Sequence, residues 1–229
     1  IGPTLGQDSI NAGTTAAAIG GIAVILAVLI YYGPLFGGVL AVGVLIIMLF
    51  VFGVLGALGA ALTLPGLAGL VLTIGAAIDG NVISFERVRE ELREGKSLRV
   101  AMKRGFGLSV SAIVDANLTS LLVAGALYQY TTGAVRGFAV TLAIGIVAAM
   151  FVNLVVVPWA LTLIAGNRQR SFMRLGKDIR GLEFVRRAAP IVVVATILAV
   201  ASLVYVGVAG LRMSTDFTGG SNILLELPD

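Results

Sequence analysis

Six stretches of the chain are almost unbroken apolar sequence, separated by short turns or by charged runs. They lie at Ala12–Tyr32, Leu35–Leu62, Pro65–Phe85, Phe106–Tyr128, Phe138–Ile164 and Pro190–Leu211. About 20 apolar residues suffice for a helix to cross the roughly 30 Å hydrocarbon layer of a bilayer. The pattern therefore predicts an all-α membrane protein with six transmembrane helices. Tyr32-Gly33-Pro34 and Thr63-Leu64-Pro65-Gly66 read as tight corners, the second with Thr63 placed to cap a helix beginning near Pro65.

Between the third and fourth stretches lies the charged segment 86–104, and between the fifth and sixth the basic segment 166–189. Each contains seven Lys and Arg, leaving only Arg136 and Arg212 of the sixteen elsewhere. Two spans separate the basic segments, so both fall on one side, which the positive-inside rule makes cytoplasmic. The ends of the chain are then expected outside: 1–11 as the end of an external (periplasmic) domain and 212–229 as the start of another. On this reading the chain is an internal piece of a longer protein. Ser97, with Leu98, Ala101 and Met102 on one face, reads as the start of an amphipathic helix lying at the membrane interface; a solvated connector is the alternative.

Composition narrows the chemistry. Apolar residues make up 58% of 229 positions and charged residues 12%, about half the charge of a soluble domain. Cysteine and histidine are absent, which excludes disulfides and Cys- or His-ligated metals. The net charge of +4 follows from topology and does not indicate a nucleic-acid partner. Small residues at Gly53, Gly56 and Ala60, and at Gly66, Gly69, Thr73, Ala77 and Gly80, are spaced for close helix packing.

Two carboxylates interrupt the spans, Asp79 and Asp115. At 1.5 Å per residue Asp79 lies roughly 10 Å inside Glu86, and Asp115 about 15 Å inside Gly105. Charge at such depth costs at least about 2.5–3.5 kcal/mol and usually marks an ion or proton pathway. Burial would also favour the neutral acid and bring protonation toward physiological pH. Ile78-Asp79-Gly80-Asn81-Val82 returns as Val114-Asp115-Ala116-Asn117-Leu118, so Gly80, Asn81 and Asn117 are supporting candidates. A purely structural hydrogen bond is the other reading of each Asp. Asp115, behind the bulkier Ala112-Ile113-Val114, is expected to matter less than Asp79 and to be held by Asn117 or a nearby backbone group. Asn153 reads as a helix–helix hydrogen bond.

The run Leu64-Pro65-Gly66-Leu67-Ala68-Gly69 and then Gly75-Ala76-Ala77-Ile78-Asp79-Gly80-Asn81-Val82-Ile83-Ser84-Phe85-Glu86-Arg87 resembles the fourth-helix signature of the SecD/SecF protein-export family. Asp115-Ala116-Asn117-Leu118-Thr119 and Gly133-Ala134-Val135-Arg136-Gly137-Phe138 resemble its fifth and sixth helices. Ile1-Gly2-Pro3-Thr4-Leu5-Gly6 is similar to the end of the large periplasmic domain of SecD, and Thr215-Asp216-Phe217-Thr218-Gly219-Gly220 to the start of the first periplasmic domain of SecF. The order resembles a fused SecDF of the resistance-nodulation-division superfamily. Residues 12–165 would hold SecD-like helices two to six, 166–189 a cytoplasmic linker, and 190–211 the first SecF-like helix.

The resemblance implies an accessory of the Sec translocon in the bacterial inner membrane, driven by the proton-motive force. Its partners would be the translocon channel, the exported unfolded polypeptide and membrane lipids, with no nucleic acid, no cofactor beyond coupling protons, and no enzymatic reaction. Asp79 matches the essential fourth-helix carboxylate; Gly80 departs from the Ala common in the family. A drug- or lipid-exporting member of the superfamily is the alternative. An intramembrane aspartyl protease is disfavoured because neither Asp sits in Tyr-Asp or Gly-X-Gly-Asp. A passive scaffold would need both carboxylates to be dispensable.

Overall fold

A computed structural model of the chain describes residues 3–60, 62–165 and 188–210. Among them the structure is helical throughout: α1 Pro3–Tyr32, α2 Pro34–Ala57, α3 Leu64–Arg93, α4 Leu98–Tyr130, α5 Gly133–Phe151, a wide π-helical turn Val152–Val156, α6 Val157–Ala165 and α7 Ala188–Ala209. Among the described residues six spans are long and apolar enough to cross a membrane, with α5, the wide turn and α6 together making the fifth. The chain divides into two compact units. The first holds α1 to α6; the second contains α7, an apolar helix. The segments 166–187 and 211–229, on which the expected cytoplasmic linker and the expected start of an external domain fall, lie outside the described residues.

Local sequence explains the corners. Gly33 takes φ 85, a left-handed conformation open to glycine, and Pro34 then starts α2 where a missing N–H is harmless. Thr63 caps α3 as expected, its Oγ1 accepting from Gly66 N at 3.1 Å. Several boundaries differ from the apolar pattern, and α5 begins at Gly133 instead of Phe138. Helix α1 begins at Pro3 instead of Ala12, and α2 ends at Ala57 instead of Leu62, where Gly59 turns with φ 60.

The charged segment 86–104 is not a loop, and no separate interfacial helix follows it. α3 continues to Arg93, supported by pairs such as Arg87–Glu90 at 2.9 Å, and α4 starts at Leu98. Only Glu94 to Ser97 turns, at Gly95 with φ 83. Ala101 and Met102 are buried as the first turns of α4. Lys96 bridges Glu91 and Glu94, and these two hydrogen bonds hold its ammonium above the usual lysine range.

Helix α3 is central, packing on α1, α2, α4 and α5. Its stripe of Gly66, Gly69, Thr73, Ala77 and Gly80 is buried as the spacing predicts. The expectation for α2 fails, because Gly53, Gly56 and Ala60 are exposed with no atom near a Cβ at either glycine. The close approaches fall elsewhere. A Cβ on Gly145 would lie 2.6 Å from Thr73 Cγ2, and one on Gly105 would lie 2.6 Å from the Val88 backbone nitrogen.

Candidate functional site

Asp79 and Asp115 sit on α3 and α4 at matching depth, because Gly80 faces Ile113 across the interface, 3.7 Å from a Cβ position to Ile113 Cγ2. Both carboxylates are exposed, which corrects the expectation of burial inside the bundle. Neither has a hydrogen bond or ion pair among the described residues. Around Asp79 the outer face carries Leu72, Gly75 and Ile83; around Asp115 it carries Ser111 and Thr119, one turn away on either side.

The supporting residues lie on the other side of their helices. Two positions along a helix is a rotation of about 200°, so Asn81 turns inward where Asp79 turns out. Asn117 is likewise buried and donates to Ile113 O of its own helix at 2.7 Å. It does not hold Asp115, so the argument for ranking Asp115 below Asp79 loses its structural basis.

What Asn81 meets is Asn153. Asn81 Nδ2 donates to Asn153 Oδ1 at 2.7 Å and to Ala77 O at 3.0 Å, and Asn153 Nδ2 donates to Ala77 O at 2.9 Å. Asn153 is therefore a helix–helix hydrogen bond, as its sequence predicts, and it ties the fifth span to the turn of α3 that bears Asp79. Asn81 Oδ1 is buried with no partner among the described residues. Asn153 belongs to the wide turn Val152–Val156. The signal for that turn is Pro158, whose ring would crowd the Leu154 carbonyl in a regular α-helix; widening the preceding turn relieves it.

A second polar cluster was not legible as a site. Arg89 reads from sequence as one cation of a basic loop, yet its side chain is 1% exposed. Its Nη1 meets Glu86 Oε1 at 2.8 Å, while Tyr32 OH donates to the same oxygen at 2.9 Å. The guanidinium lies 4.7 Å from the ring centre of Tyr31 and 5.1 Å from that of Tyr32. Phe85 stacks edge-on with Tyr32, Phe36 and Phe106 beneath it. The cluster fastens the α1–α2 corner to α3. Arg89→Met is expected to lower stability in detergent by about 1.5–3 kcal/mol, the value of hydrogen bonds to a charged group. Thermal unfolding of the purified protein measures it, and adding Glu86→Gln should recover part of the loss.

These features define a class: a polytopic helical membrane protein with two outward carboxylates set into adjacent spans. The family model described as Protein export membrane protein SecD/SecF, C-terminal, matches residues 1–164. The SecDF protein translocase subunit of Thermus thermophilus is 49% identical over 226 residues, 99% of this chain and 31% of its own length. The SecD subunit of Rhodobacter capsulatus is 49% identical over 164 residues, 69% of this chain and 29% of its own. A crystal structure of SecDF from the Thermus species, described as a translocon-associated membrane protein, matches with a TM-score of 0.89 at 49% identity. That match covers 96% of this chain and 30% of the other. The chain belongs to the SecD/SecF protein-export membrane protein family. It spans about three tenths of the length of these relatives.

Proposed function

We propose that this chain is part of the membrane motor of an accessory subunit of the Sec protein translocase, which uses the proton-motive force to promote export of unfolded polypeptides. The observation that carries the reading is the pair Asp79 and Asp115, exposed at one depth in adjacent spans. Carboxylates facing bare lipid would carry a large insertion penalty, so this face is the one to meet the remainder of the transporter or a water-filled path. Reversible protonation there couples proton entry to movement of helices. The coupling ion is the proton, no cofactor takes part, and the chain catalyses no covalent reaction. Partners in this reading are the translocon channel, the exported chain and surrounding lipids.

The test is export measured in cells or everted vesicles with the proton gradient present and collapsed, comparing Asp79→Asn and Asp115→Asn at matched expression. Both changes should reduce the proton-dependent part and leave the remainder. Gradient-stimulated export that survives in both variants rejects the reading.

In this reading the subunit sits in the inner membrane and the charge asymmetry supports one orientation, with the α3–α4 turn and segment 166–189 cytoplasmic and both ends external. Because the protein lacks cysteine, single cysteines can be placed at Ser97, Ser171, Ser9 and Ser221. An impermeant thiol reagent added to intact cells should label the last two only; labelling at Ser97 or Ser171 would reverse the topology.

A further inference from the structure

Asp79 faces outward while Ala77 and Asn81, two residues to either side, face the bundle, and a single side chain from the wide turn after α5 touches both. That side chain, Asn153, is 1% exposed and comes from the only π-helical turn among the described residues. Such turns insert an extra residue and re-aim side chains, and they recur at functional sites. The second half of the arrangement is Gly80. A Cβ there would sit 2.6 Å from Asn153 Nδ2, closer than real atoms approach, so the amide reaches the α3 backbone only because position 80 carries no side chain.

We propose that Asn153 is a positioning residue for Asp79: presented by the wide turn and admitted by Gly80, its amide fixes the rotation of α3 that holds Asp79 on the outward face. The geometry is a latch with its load on the opposite side of the helix. Hydrogen bonds at Ala77 O and Asn81 Nδ2 oppose rolling of α3, and rolling by one residue would carry Asp79 toward α4 or α5 and away from its outward position. Gly80 and Asn153 form a size-matched pair, since enlarging the first displaces the second. The inference rests on the proposed role of Asp79 for its functional meaning, but the latch itself is a statement about α3 and is tested separately.

The test uses the intact protein in membranes. Ser84 is 1% exposed and lies on the same inward stripe as Ala77 and Asn81, so Ser84→Cys, a near-isosteric change, reports rolling of α3 through its reactivity with N-ethylmaleimide. In that background Asn153→Ala and Gly80→Ala should each speed alkylation about fivefold, the factor expected in an opening equilibrium when about one net hydrogen bond is lost. The double variant Gly80→Ala with Asn153→Ala should be no faster than Asn153→Ala alone, because the clash has gone with the amide. Proton-driven export in the same variants should shift its midpoint along the external pH axis by about half a unit or more, as the surroundings of Asp79 change.

Unchanged alkylation in Asn153→Ala overturns the latch. Faster alkylation with an unmoved pH midpoint, and export reduced only in proportion to folded protein, shows that Asn153 merely joins helices and overturns its role toward Asp79. Faster alkylation together with normal proton-driven export in both Asp79→Asn and Asp115→Asn would instead reject the proposed function and leave the latch standing.

Discussion

Asp79→Asn should leave the protein inserted and folded while export falls to the rate measured with the proton gradient collapsed. The substitution keeps the size of the side chain, and the structure predicts no packing penalty, because Asp79 is exposed and makes no hydrogen bond or ion pair among the described residues. What it removes is the ability to change charge. Moving one elementary charge across 100 mV is worth about 2.3 kcal/mol. Fully coupled to a rate, that is a factor of up to about fifty. The loss should appear in the gradient-dependent component alone. Expression level and thermal unfolding of the variant should match the parent, which separates a lost motor from a lost fold. The same comparison for Asp115→Asn is informative because the two carboxylates share depth and exposure. A much smaller effect there would mean that the partner each one meets, rather than its place in these helices, decides its role.

Gly105→Val should be the most damaging single change to the fold. At this crossing α3 and α4 approach so closely that a Cβ on Gly105 would lie 2.6 Å from the backbone nitrogen of Val88 and 2.8 Å from its Cα. Backbone atoms cannot move aside as a flexible side chain can. Overpacking a core typically costs about 1–3 kcal/mol, and a clash against backbone belongs at or above the top of that range. Reduced accumulation and a lower unfolding temperature in detergent would be the readout. Gly107 supplies the control two residues away, since nothing lies within 4 Å of its Cβ position. Gly107→Ala should be neutral or slightly stabilising, by up to about 1 kcal/mol of helix propensity. Equal behaviour of Gly105→Val and Gly107→Ala would show that the close crossing is not what holds the α3–α4 hairpin.

Much of the architecture was legible from the chain because bilayers impose simple rules. Length of apolar sequence set the six spans, Thr63 and Pro34 marked helix starts, and the presence of Asp79 and Asp115 at depth was visible as soon as the spans were drawn. The small-residue stripe of α3 was also legible, because it sits on a helix that neighbours surround. The charged segment was misread at its edges for a different reason. Charge ends an apolar pattern but does not end a helix, and Glu and Arg are good helix formers, so α3 runs on to Arg93.

Which way each residue faces was decided only by the tertiary structure. In water a helix shows its buried side by an apolar stripe, but a lipid-facing surface is as apolar as a packed one, so most spans here carry no such stripe. Gly53 and Gly145 are therefore alike in sequence, yet the first meets nothing and the second touches Thr73. Arg89 looks like any loop cation until α1 folds Tyr31 and Tyr32 against it. Asp79 and Asn81 looked like one polar motif, but helical rotation sends the acid outward and the amide to Asn153, 72 residues along the chain. The chain by itself determined which segments cross the bilayer and in what order; the contacts among those segments decided which side chains form a site, because only packing distinguishes one apolar face from another.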